Sequence, residues 1–171
     1  MRRDVWLRID VLSRQLTPFL LTLFFVVLGV VSVQAPGWAR VAPLLSLIAI
    51  YHWAVYRLDL MPGYAVFFIG FLQDALSGTP MGLMTLVYLS VYGVIVSQQR
   101  YLIGKSFSIV WLGFAFVSAG AMGLAWTLYS FLAGALVEPK ALCYQYLLGA
   151  GLYPVFARFF LAWQAKVLKA V

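Results

Sequence analysis

The sequence predicts an all-α polytopic membrane protein with six transmembrane helices. Three observations carry that expectation: an apolar composition, six long uncharged runs, and basic residues that gather at alternate ends of them. Of 171 residues, 64% are hydrophobic and 10% are charged, whereas soluble domains run near half apolar and roughly a quarter charged. A water-soluble fold of this length has too little interior to hide so much apolar surface. Disorder is excluded by the same figures, because it needs low hydrophobicity and high charge.

The runs follow in order. Nothing is charged between Arg14 and Arg40, and further uncharged stretches cover 41–56, 60–73, 75–99, 106–137 and 141–157. A spanning helix needs roughly 20 apolar residues, with a range of about 17 to 25. Spans are therefore expected near 16–35, 41–57, 62–77, 80–98, 107–136 and 141–163. The third is short and ends at Asp74 and the turn Ser77-Gly78-Thr79-Pro80. The fifth is long enough to tilt. Residues 16–171 form a single six-helix transmembrane domain on this reading.

Residues 1–15 differ. Val5, Trp6, Ile9, Leu12 and Leu16 fall on one helical face, and Arg3, Asp4, Arg8, Asp10 and Arg14 gather on the other. That pattern predicts a basic amphipathic helix lying in the membrane interface. A cleaved leader is not expected, because the small-residue site Val33-Gln34-Ala35 is followed by Pro36.

Orientation follows from the basic residues. Six spans place both termini on one side, together with Arg2, Arg3, Arg8, Arg14, Arg57, Arg100, Lys105, Arg158, Lys166 and Lys169. Arg40 and Lys140 fall on the other. Ten against two predicts that both termini are cytoplasmic. The net charge of +7 thus reports orientation, and no nucleic-acid partner is expected.

Material for chemistry is scarce. One cysteine, Cys143, and one histidine, His52, leave little for a metal centre, and neither metal nor cofactor is expected. Asp59 beside Arg57 and Glu138 beside Lys140 read as solvated turn charges. Asp74 follows fourteen uncharged residues. Ionisable groups at membrane depth are functional candidates by default, and the competing reading is a helix-end carboxylate. Gly70, Asp74, Gly78 and Gly82 recur every four residues, and Pro80 suits the first turn of the fourth span. A carboxylate there can accept from the free amides that begin the next helix, so Asp74 is expected to clasp the third span to the fourth.

His52 lies in the second span and is expected to hydrogen-bond between helices; Tyr51, Trp53 and Tyr56 read as interfacial belt residues. Ala115, Ala119 and Gly123 repeat every four in the fifth span, and Gly149 and Gly151 sit in the sixth, spacing that suits helix packing or partner contact. Gly104-Lys105-Ser106 is not a phosphate loop, because Gln99 stands where its first glycine belongs. No triad and no carboxylate pair is in register, so catalysis is not expected.

The stretch 50–100 carries a resemblance. Tyr51-His52-Trp53, Tyr56-Arg57-Leu58-Asp59 before Pro62, Phe68, Gly70-Phe71-Leu72-Gln73-Asp74, Leu76-Ser77-Gly78-Thr79-Pro80-Met81-Gly82 and Gln98-Gln99-Arg100 together resemble the rod shape-determining protein MreD family. Trp126 and Leu152-Tyr153-Pro154 fit it too. The resemblance implies a non-enzymatic inner-membrane component of the bacterial cell-elongation complex. It implies MreC as direct partner, with the MreB cytoskeleton, the RodA glycosyltransferase and the elongation transpeptidase around it. It also implies a fold similar to the six-helix substrate-binding subunits of energy-coupling-factor transporters. Such a vitamin-type transporter subunit is the competing function. Against it, the first span, LTPFLLTLFFVVLGVVSVQ, lacks the small-residue docking motif those subunits carry.

The orientation is testable by fusion. A periplasm-dependent reporter placed after Lys140 should be active, and one after Val171 silent; the reverse pattern rejects the six-span topology.

Overall fold

A computed structural model describes residues 18–30, 45–136 and 138–167. The amphipathic segment expected at 1–15 lies outside them. The described residues form six α-helices: α1 (Pro18–Val30), α2 (Leu45–Tyr56), α3 (Gly63–Ser77), α4 (Leu83–Leu102), α5 (Phe107–Ala133) and α6 (Lys140–Val167). A single 3₁₀ turn, Leu58–Leu60, links α2 to α3. Each expected span overlaps one of these helices, and α3 and α5 end at the left-handed glycines Gly78 and Gly134.

Lengths differ from the expectation. At 1.5 Å per residue, the 12 residues of α2 rise about 18 Å and the 15 of α3 about 22 Å, against a hydrocarbon core of about 30 Å. Among the described residues, α5 and α6 are the two helices long and apolar enough to cross a membrane. α4 has the length but carries Ser97-Gln98-Gln99-Arg100 in its last turns.

α2 is the hub. Every residue from Leu45 to Val55 is buried, as expected of a helix that is apolar all round. It packs against α4, α5 and α6, while α3 lies against α4 and α5 against α6. Aromatic rings fill the centre. Tyr51 of α2 meets Phe114 of α5 and Tyr153 of α6 edge-on, with centroids 5.2 and 5.7 Å away, and Phe114 stacks on Tyr153 at 4.4 Å. Phe25 of α1 meets Phe156 and Phe160 of α6. Tyr51 and Trp53 are fully buried, which corrects the interfacial-belt expectation: on a central helix no face reaches the interface. The outward faces stay apolar, with Phe68, Leu112, Phe116 and Phe131 all more than half exposed.

Two polar groups lock α2 to its neighbours. The Tyr51 hydroxyl donates to the Val110 carbonyl at 2.9 Å. The Gln99 side-chain amide donates to the carbonyls of Ala54 and Val55, meeting acceptors that a helix C-terminus leaves free.

Gly113 makes the first of these contacts possible, since a Cβ there would lie 2.7 Å from the Tyr51 hydroxyl and 3.3 Å from Leu102 Cδ2. Gly113→Ala should therefore destabilise by about 1–3 kcal/mol. Tyr51→Phe, which removes the colliding oxygen, should cancel much of that loss in a double-mutant thermal denaturation; fully additive losses refute the contact.

Candidate functional site

The most organised polar arrangement lies where α3 turns into α4. α3 ends at Ser77 because Gly78 takes the left-handed conformation, φ 66°, and α4 begins after Gly82, φ 94°. Only glycine adopts such angles without strain. Gly82 occupies the N-cap position of α4 and has no side chain to offer the first free amides. Asp74 supplies what is missing from across the turn. Its Oδ1 accepts from the Met84 N–H at 2.9 Å, and its Oδ2 from the Gly82 and Thr85 N–H groups at 3.0 and 3.2 Å. Hydroxyls complete the set: Thr79 donates to Oδ1 at 2.9 Å and Thr85 to Oδ2 at 3.0 Å.

The N-terminus of α4 is thereby fully satisfied. Leu83 donates to the Pro80 carbonyl and Leu86 to that of Gly82, while Met84 and Thr85 donate to the carboxylate. Asp74 is 1% exposed, so its charge is met by amides carrying the positive end of the helix dipole. Gly70 makes the approach possible. It lies one turn before Asp74 on the same face, and a Cβ there would stand 2.5 Å from Thr85 Cα. The two backbones touch, which brings the carboxylate within reach.

Pro80 departs from the expectation. It sits in the turn before α4, not in its first helical turn. A helix starting at Pro80 would need helical angles at Gly82, whereas the positive φ of Gly82 aims its N–H at Asp74.

The polar set continues inward. Tyr88, one turn beyond Thr85, shares a 2.6 Å hydrogen bond with Ser46 of α2. Ser46 reaches Gln73 at 3.5 Å, and Gln73 donates to Ser77. Thr85, Tyr88 and Ser46 were not singled out by sequence, because an isolated hydroxyl in an apolar helix has no spacing signature; Thr79 was marked only as part of the turn. Beside this set, α4, α5 and α6 border a cavity of about 420 Å³, with Thr79, Met84, Trp126, Tyr129 and Gln145 in its wall.

The other candidates lie apart. His52 is fully buried against Trp53, Tyr56 and Phe160. Neither ring nitrogen has a hydrogen-bond partner among the described residues, which corrects the expectation of an interhelical bond: its neighbours present ring carbons. Trp53 Nε1 and the Tyr153 hydroxyl share that condition. Ala115 is half-buried, while Ala119 and Gly123 are exposed. No atom lies within 4 Å of a Cβ built on Gly123, so this stripe does not hold helices together at that end. Gly149 is buried and Gly151 exposed. The pairs Arg57–Asp59 and Glu138–Lys140 are exposed, and such pairs contribute little.

No family model matches the chain, and no solved structure matches it. An uncharacterized protein of Rickettsia prowazekii (strain Madrid E) is 30% identical over 79 residues, which is 46% of this chain. The chain spans 44% of that relative's length.

What the arrangement does chemically is fix one helix against the next. Asp74→Leu strands three N–H groups, at about 1–3 kcal/mol each. Asp74→Asn turns one acceptor into a donor facing Met84 or the Gly82 and Thr85 pair, so it should also lose about 1–3 kcal/mol, more than a carboxylate with a single partner would lose. Thermal unfolding in detergent should rank native, then Asn, then Leu, with Gly70→Ala also below native. If Asp74→Leu unfolds with the native protein, the carboxylate does not hold α4.

Proposed function

We propose that this chain is a non-enzymatic inner-membrane scaffold of the bacterial cell-elongation complex, of the MreD type, acting with MreC in cell-shape maintenance and lateral peptidoglycan synthesis. The observation that carries the reading is the job held by each marked position of the Gly70–Gly82 block. Gly70 admits α4, Asp74 caps it, and Gly78 and Gly82 shape the turn between. A sequence pattern that resembles the MreD family thus corresponds to one structural device, and not to scattered matches in generic apolar sequence.

On this proposal all six helices span the cytoplasmic membrane, with both termini cytoplasmic. The α3–α4 turn and the cavity beside it then face the periplasm. The exposed aromatic surfaces of α3 and α5 meet lipid and the single membrane helix of MreC. The open stripe at Ala119 and Gly123 suits such a contact, since small residues let a partner helix approach closely. MreB, RodA and the elongation transpeptidase join through the assembled complex.

A second reading, the substrate-binding subunit of a vitamin-type transporter, draws its support from the cavity between α4, α5 and α6. Its wall is largely apolar with a few polar groups, the general character of a small-molecule site.

Depletion separates the two. Loss of the scaffold should round or widen rod-shaped cells, and MreC should co-purify with the tagged protein. Unchanged shape and wall incorporation, together with saturable vitamin binding in detergent, would replace the first reading by the second.

A further inference from the structure

The middle of α6 is built as a joint. Pro154 lies inside the helix. It has no N–H, so the carbonyl of Ala150, four residues earlier, loses its helical partner. α5 supplies a replacement: Trp111 Nε1 donates to the Ala150 oxygen at 2.9 Å. Gly149 and Gly151 flank Ala150, and each glycine weakens a helix interior by about 1 kcal/mol relative to alanine. The run Gly149-Ala150-Gly151-Leu152-Tyr153-Pro154 is thus the least self-supporting part of α6, and an indole from a neighbouring helix holds it.

The two sides of this run are anchored differently. At its C-terminal edge Tyr153 is buried and stacks on Phe114, and beyond it Ala157 and Phe160 are buried, Phe160 packing on Phe25 and His52. On the N-terminal side no residue from Lys140 to Leu148 is buried, and Tyr144 and Leu147 are 61% and 64% exposed. Segments with few buried contacts open at low free energy. This loosely held half forms one wall of the cavity, through Ala141, Leu142 and Gln145, facing Leu83 and Met84 of α4.

We propose that α6 is a jointed helix. Its Lys140–Leu148 half moves as a lid on the cavity, turning about Gly149–Pro154, and the Trp111–Ala150 hydrogen bond is the pin that holds it closed. Releasing the indole leaves the Ala150 carbonyl without a partner, so this bond adds to the partial burial of Leu142, Gln145 and Tyr146 in opposing the lid's opening. The device is independent of what the cavity holds and of the scaffold role proposed above.

The full-length protein in lipid nanodiscs tests it. Cys143 is the chain's single cysteine, exposed and on the moving half. Leu86→Cys on the exposed face of α4 supplies a fixed partner for a nitroxide pair. The parent pair should give one narrow distance distribution. Trp111→Phe, which keeps a ring but removes the donor, should broaden it or add a second distance. Trp111→Phe with Pro154→Ala should narrow it again, because residue 154 then donates to Ala150 itself. An unchanged distribution in Trp111→Phe, or a double variant as broad as the single, overturns the proposal.

Discussion

A single carboxylate organises this molecule. The amides at the start of α4 turn toward the packed interior, and the N-cap residue is a glycine with no side chain to meet them. Asp74 answers both problems, its own charge and the amides' need, from the preceding helix. Because both oxygens are committed, the angle and the register between α3 and α4 are set together. The close approach at Gly70 and the turn through Gly78 and Gly82 follow from that commitment. Tyr88 and Ser46 then carry the same fixed frame to α2, the helix on which α4, α5 and α6 pack.

Order is graded outward from this frame. α2 is enclosed, α4 is clasped at one end and near the other holds the end of α2 through its own Gln99, and the aromatic stack of Tyr51, Phe114 and Tyr153 ties in α5 and the second half of α6. The first half of α6 has none of these anchors. Rigidity at α3–α4 and looseness at α6 meet at one cavity, whose two walls therefore differ in how readily they shift.

Much of this was legible in the residues. Charges and glycine turns interrupt the apolar runs between helices, so the number and order of the described elements could be read directly. The four-residue spacing of Gly70, Asp74, Gly78 and Gly82 placed the clasp, since a buried acid before a glycine-rich turn has few other uses. Other features were hidden for definite reasons. Thr85 and Tyr88 look like any polar residues in an apolar helix, and their role depends on which helix lies opposite. The depth of Tyr51 and Trp53 depends on α2 being central, which composition does not encode. His52 fits a polar expectation by type, yet tertiary packing gave it aromatic neighbours. Pro154 is visible in sequence as a break, but the donor that repairs it comes from Trp111, 43 positions away.

The clasp also constrains how the chain is made. Asp74 is synthesised before Gly82, Met84 and Thr85, the residues whose amides will hold it. Until they emerge, α3 carries a carboxylate that no amide has met, and burying an unpaired charge is costly. The clasp therefore cannot close before the start of α4 has been made, and the two helices are best regarded as one folding unit. A nascent chain that ends within the stretch 75–82 lacks Met84 and Thr85, so its Asp74 is still open.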